Sequence, residues 1–213
     1  MNNLTIINAR KLAEYILNDS TLLLVSPNRC PYKDHVGALF TDIILQAGVN
    51  YNTVVAPRVN YVLRKYPNAF SVIEFCSIIE SDGVKNVLKW KHPTKLKRMH
   101  DLLMFCMEHR INYSKDLQAY LKKTQNQNSF LQINGVGNKT LDYLLKLLGM
   151  ETVAVDRHIF SYVEKSGIEC KDYHTVKMIV EYAADILDIP RRTIDYSIWT
   201  YMSEKPMNKQ LVL

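Results

Sequence analysis

Apolar side chains return every three to four positions along most of this chain, and no stretch reads confidently as a strand. Leu12, Ile16 and Leu17 give an expected helix over 8–17 its apolar side. Residues 18–33 read as a loop, punctuated by Asn18-Asp19-Ser20 and Ser26-Pro27-Asn28, and the run Leu22-Leu23-Leu24-Val25 inside it fits strand or helix equally. Asp34 suits the N-cap of a helix reaching Gln46 or Ala47, and another helix is expected over 53–65, stopping before Pro67. Ser71-Val72-Ile73-Glu74 has the form of a capping box, in which serine accepts from the third amide and glutamate reaches back; its helix should end at Gly83. Pro93 opens an expected long helix over 94–109, Ser114 caps a shorter one to 122, and the polar stretch 124–129 reads as a loop. Further helices are expected near 129–133, 138–148, 156–166, 174–188 and 191–204. Ten or eleven helices without a repeat or a tether make the chain all-α and globular.

Composition changes this picture little. With 47% hydrophobic and 23% charged residues in 213, the chain is neither collagen-like nor disordered. No run approaches the ~18–20 apolar residues that span a bilayer, so a soluble protein with no membrane partner is expected. Twenty-seven Lys and Arg against 21 Asp and Glu leave a net charge of +6, a mild lean toward a polyanion. Cys30, Cys76, Cys106 and Cys170 lie far apart and the histidines are scattered, which excludes the usual zinc and iron–sulfur spacings and suggests reduced, mostly buried thiols. Lys89, Lys91, Lys95, Lys97 and Arg98 crowd into ten positions; read alone, such a cluster is a solvated face.

The chemistry concentrates in one segment. Gly135-Val136-Gly137 leads straight into the apolar helix that begins at Asn138-Lys139-Thr140. Two glycines permit a tight turn and a close approach to the backbone, and the amides at the start of the next helix favour an anion such as a duplex phosphate. Backbone contacts of that kind are independent of base sequence. Lys139 sits in the first helical turn, where the helix dipole disfavours a cation, so it stands against its own electrostatic preference beside the turn. Seventeen positions later Asp156 follows Val153-Ala154-Val155 and is placed to cap the next helix. The intervening helix is ~15 Å long at ~1.5 Å per residue, and residues 149–155 can span ~23–25 Å, enough to return to the lysine's end. A plain structural hairpin, a surface lysine and a purely capping aspartate remain open at this level.

Gly135-Val136-Gly137-Asn138-Lys139-Thr140, taken with Ala154-Val155-Asp156-Arg157-His158-Ile159-Phe160, resembles the helix-hairpin-helix (HhH-GPD) superfamily of base-excision DNA glycosylases, in the manner of endonuclease III and then the 8-oxoguanine glycosylases. Weaker resemblance covers most of the chain, including Gln46-Ala47 and Ile194-Asp195-Tyr196-Ser197-Ile198-Trp199. The resemblance implies a two-lobed all-α fold with the active site between the lobes: residues 28–151 carrying the hairpin, and 1–27 plus 152–213 forming the second lobe. It implies a bifunctional glycosylase and abasic-site lyase acting as a monomer on double-stranded DNA that holds a damaged, oxidised base or an abasic site. Lys139 would attack the sugar and form a Schiff base, Asp156 would assist, Gly135, Val136 and Gly137 would grip the backbone, and Gln46, on a loop facing the duplex, would fill the space left by a flipped base.

Two departures stand out. Only Cys170 follows Asp156, so no iron–sulfur cluster, and no other cofactor or metal, is expected; and Leu88-Lys89-Trp90-Lys91-His92-Pro93-Thr94-Lys95 does not match the family's segment before its long central helix. A cytoplasmic protein is expected, nucleoid-associated in a prokaryote and nuclear in a eukaryote. Two other functions remain compatible with the residues: a non-catalytic duplex-binding module, and a monofunctional glycosylase in which Asp156 works with water.

Overall fold

The computed structural model describes residues 3–28, 30 and 32–204. Among them lie twelve α-helices and no strand, with one isolated antiparallel bridge between Ser71 and Tyr113. In chain order these are α1 (Asn3–Asn18), α2 (Val36–Leu45), α3 (Ala56–Lys65), α4 (Val72–Asp82), α5 (Val84–Leu88) and α6 (Pro93–Glu108). There follow α7 (Ser114–Leu121), α8 (Thr124–Phe130), α9 (Asn138–Leu147), α10 (Arg157–Lys165), α11 (Tyr173–Ile186) and α12 (Arg191–Glu204). The protein is therefore all-α. No helix among the described residues is long and apolar enough to cross a membrane.

The chain divides into two compact units, Arg29–Met150 and Met1–Asn28 with Glu151–Leu213. Residues 1, 2 and 205–213 of the expected second lobe lie outside the described residues. The first unit is built around α2, whose ten residues are all buried and which packs against α3, α4, α6 and α9. A helix apolar all round must be covered all round, and this one is. At Gly37 an added Cβ would stand 2.9 Å from the Phe75 ring, so glycine lets α4 approach α2 closely. Phe40, Ile43, Phe75, Met99, Leu102, Phe130 and Leu144 fill the core. Each such side chain contributes roughly 1.5–3 kcal/mol of burial. In the second unit α1 lies along α11 while α12 packs against α10 and α11, around Leu12, Val155, Tyr162, Ile179 and Ile198.

Local capping explains most helix ends. Ser71 Oγ accepts from the Glu74 amide while Glu74 Oε2 accepts from the Ser71 amide at 2.9 Å, the reciprocal box expected for α4, and Gly83 ends that helix at φ 79°. Several expectations need correction. The N-cap of α2 is His35, not Asp34: His35 Nδ1 accepts from the Ala38 amide at 3.0 Å, while Asp34 accepts from Ser114 Oγ. Ser114 in turn opens α7 as its first residue rather than capping it; Asp116 Oδ2 accepts from the amides of Tyr113 and Asn112. Helix α1 begins at Asn3, well before residue 8, and a π-turn over Tyr51–Val55 feeds α3.

Residues 22–25 are neither strand nor helix; Leu22 is buried, but Leu23 is 75% exposed. Helix α5 was not expected. The polar stretch expected as a loop is helix α8, because Asn126 Nδ2 and Gln127 Nε2 turn back to donate to the carbonyls of Tyr120 and Leu121, which end α7, and Phe130 anchors the segment in the core. That helix stops at Phe130, so 129–133 is mostly turn. Of the four thiols, Cys106 alone is buried and the other three are half-buried.

Candidate active site at the glycine hairpin and helix α9

After α8 the chain is pinned by two buried side chains, Ile133 and Val136, and turned between them by the Val136 amide donating to the Ile133 carbonyl at 2.9 Å. Gly135 stands in that turn at φ +77°, in the left-handed region. A second reason for glycine comes from across the unit: a Cβ here would lie 1.9 Å from Arg98 Nη2. The Arg98 guanidinium rests on the hairpin and Nε donates to the Asn134 carbonyl at 3.2 Å. Gly137, extended and exposed, is the N-cap of α9 and brings no side-chain cap. Gly135 and Gly137 present exposed backbone, whereas the Val136 side chain is turned inward.

Lys139, the second residue of α9, is half-buried, and its Nζ donates to Gln46 Oε1 at 3.1 Å. Two expected site residues ninety-three positions apart are thereby brought together. Gln46 is not on an exposed loop. It is the C-cap of α2, 8% exposed, with its amide donating to the Asp42 carbonyl at 2.9 Å. Its Nε2 is buried and has no hydrogen-bond partner among the described residues. Buried amide donors left open are uncommon and costly.

Lys95 holds the backbone on both sides of Gln46. Its Nζ donates to the carbonyls of Leu45 at 2.6 Å and Ala47 at 2.8 Å, a cation completing the C-terminal end of α2. The same ammonium lies 4.7 Å from the Trp90 ring, with the Arg58 guanidinium 5.3 Å from that ring. Burial, helped by the nearby Arg98 and Arg58 charges, pulls the Lys95 amine down to about 8. Lys95 and Arg98, three apart on α6, thus brace the end of α2 and the hairpin respectively. Neither belongs to the solvated basic face expected for this stretch; Lys97, which pairs with Asp101 at the surface, does. Nothing in a single sequence separates the three, since the distinction lies in which carbonyls each reaches.

One helical turn deeper, Asp42 on α2 faces Tyr143 on α9, whose hydroxyl donates to both carboxylate oxygens at 3.1 and 3.2 Å. Tyr32 and Tyr51 donate to the same carboxylate. Asp42 to Gln46 runs toward the end of α2 while Tyr143 to Lys139 runs toward the start of α9, so the two helices lie antiparallel with the amine and carboxamide uppermost. Burial pushes the Asp42 carboxyl up to about 6, against the lowering effect of the three hydroxyls. Burial and the Asp42 charge raise the phenols in return, Tyr51 to about 12. The sequence carried no sign of this cluster.

Asp156 belongs to the other unit, where it caps α10: Oδ1 accepts from the amides of His158 at 2.8 Å and Ile159 at 3.1 Å. The residues before it are held by carboxylates of that unit. Glu181 on α11 accepts from the Val153 amide at 3.2 Å, and Asp195 on α12, itself buried, accepts from the Ala154 amide at 2.7 Å. The half-buried Asp156 therefore leaves a fixed run of backbone in a defined direction. Among the described residues no cluster of three or more His, Cys, Asp or Glu side chains is arranged to hold a metal ion.

The chain belongs to a family described as a domain of unknown function, DUF8548, whose model matches residues 91–203. The matched region runs from just before α6 to the last turn of α12 and contains the hairpin, Lys139 and Asp156; Gln46 lies outside it.

Proposed function

We propose that this protein is a bifunctional base-excision DNA glycosylase and abasic-site lyase of the helix-hairpin-helix type, with that superfamily's two-lobed architecture. The observation that carries the proposal is the bond from Lys139 to Gln46: an amine in the first turn of α9, immediately after a glycine hairpin, held by a neutral carboxamide rather than paired with a carboxylate. A lysine meant only for a phosphate has no use for such a partner, whereas a nucleophile needs its lone pair free and its direction set.

In this reading the backbone of Gly135 and Gly137 and the uncapped start of α9 take a phosphate of double-stranded DNA, without reading sequence. The damaged nucleotide leaves the stack. The Lys139 amine attacks C1′ as the bond to the base breaks and the base departs with a proton. The sugar ring opens to an imine on Nζ. Loss of a proton from C2′ then sends its electron pair into the expulsion of the 3′ phosphate, which cuts the strand. Asp156 is assigned the electrostatic role that the resemblance implies, that of a fixed carboxylate favouring positive charge as it develops on the sugar. No cofactor enters this scheme.

Borohydride trapping on an abasic duplex tests it directly. A covalent adduct is expected from the wild type, none from Lys139→Met, and retained duplex binding in both. Duplex binding with neither base release nor adduct would replace the proposal with a non-catalytic binding module; base release without an adduct would make it a monofunctional glycosylase using Asp156 and water. A panel of duplexes bearing oxidised purines, oxidised pyrimidines, uracil and mismatched thymine identifies the base removed.

A further inference from the structure

Gln46 presents both ends of a carboxamide in one place. Oε1 accepts from the Lys139 amine, while Nε2, in a residue more than nine-tenths buried, has nothing to donate to among the described residues. A flexible glutamine normally turns to satisfy both ends. This one is fixed at the end of α2, where Lys95 grips the carbonyls before and after it and its own amide is bound to Asp42. Below it, Asp42 and Tyr143 tie α2 to α9 and keep the two helix ends in register. An arrangement that costs an open buried donor, yet is held so firmly, points to an acceptor that arrives with a ligand.

On the basis of the lyase reading above, we propose that Gln46 is the positioning residue for Lys139 and that its free amide N–H receives the oxygen on the sugar's C1′. The chemistry follows atom by atom. The neutral amine donates one N–H to Oε1, which turns its lone pair away from that bond. Attack on the aldehyde of an abasic site forms the N–C1′ bond and shifts the carbonyl π electrons onto oxygen. That oxygen accepts from Nε2 and takes a proton from solvent. The nitrogen gives up one proton to solvent, the oxygen takes a second, and the freed nitrogen lone pair expels it as water, leaving the imine in its protonated form. The protonated imine retains a single N–H from the amine, and Oε1 is already placed to accept it; the bond strengthens as the charge appears. One carboxamide thus serves the amine, the departing oxygen and the cationic imine in turn.

The test uses the full chain with Gln46→Glu, nearly isosteric, and Gln46→Met, which keeps volume but removes both polar ends, after melting curves confirm that each folds. The rate of borohydride-trapped adduct is followed from pH 5 to 9. Gln46→Met is expected to lower that rate by about a hundred-fold, the usual cost of a misdirected reacting group. Gln46→Glu is expected to move the acidic limb of the profile up by about one pH unit, because a carboxylate holds the ammonium form. A purely structural role would change the amplitude without moving the limb. In parallel, acylation of Lys139 by an amine-directed reagent, read by mass spectrometry without DNA, should be slower in Gln46→Glu than in the wild type at pH 8. If the wild type traps and both variants match it in rate and profile, Gln46 has no such role while the lyase reading stands. If the wild type forms no adduct, the lyase reading and this inference fall together, whatever the acylation shows.

Discussion

Helices α9 and α10 begin in opposite ways. Helix α10 opens on Asp156, whose carboxylate accepts from the second and third amides of the helix. Helix α9 opens on a glycine with no side-chain cap and places a lysine in its first turn. The α10 start is satisfied by its own sequence. The α9 start is left electrostatically positive, with a lysine amine added and a neutral carboxamide to steady it. A helix start normally gains about 1 kcal/mol from an Asp, Asn, Ser or Thr cap. Its omission beside the glycine turn is what the proposed function expects, with the amides kept for a ligand.

The largest expected effect breaks the comparison at α9. Lys139→Met should abolish the trapped adduct entirely while the fold, read by circular dichroism and melting, is kept; a full-strength adduct from this variant would move the nucleophile elsewhere. At α10, Asp156→Asn should slow base release by on the order of a hundred-fold or more with duplex affinity within a few-fold, because asparagine caps a helix as well as aspartate but carries no charge. Asp156→Ala would add about 1 kcal/mol of lost stability. Equal activity of Asp156→Asn and the wild type would reduce Asp156 to a cap.

The remaining effects concern what lies beneath and beside α9. Asp42 has its carboxyl pushed up to about 6 in the fold from an ordinary value of 3.8, so the folded state binds that proton more tightly than the unfolded chain. Its stabilising contribution is complete below about pH 4 and is lost as pH rises through about 6, a change on the order of 3 kcal/mol. Urea unfolding of the wild type at pH 4.5 and 7 should show this decline superimposed on the other titrations, and Asp42→Asn should remove it. Smallest, Gly135→Ala should cost about 1–2 kcal/mol, through the positive φ and displacement of Arg98 from the hairpin. A melting temperature unchanged in Gly135→Ala would show that the turn relaxes freely.

What could be read beforehand was local. The box between Ser71 and Glu74, the stop at Gly83 and the cap at Asp156 each involve residues within four positions, and their spacing is visible in one dimension. Misreadings arose where a distant partner decided between neighbours. His35 displaced Asp34 as cap of α2 because its Nε2 also bonds the Tyr66 carbonyl, while Asp34 was taken by Ser114. Lys95 and Lys97 look alike in sequence, yet one holds backbone carbonyls near residue 46 and the other pairs with a surface aspartate.

By itself, then, the order of residues determined that the protein is helical, where many of its helices begin and end, and which short segment holds a glycine turn, a misplaced lysine and a capping aspartate. Periodicity and capping act over one or two turns and need no knowledge of the rest of the chain. Only tertiary structure decided that Gln46 meets Lys139, that Lys95 and Arg98 brace their surroundings, and that Asp42 collects hydroxyls from positions 32, 51 and 143. Those contacts acquire their strength from desolvation, and desolvation exists only once helices far apart in the chain have packed.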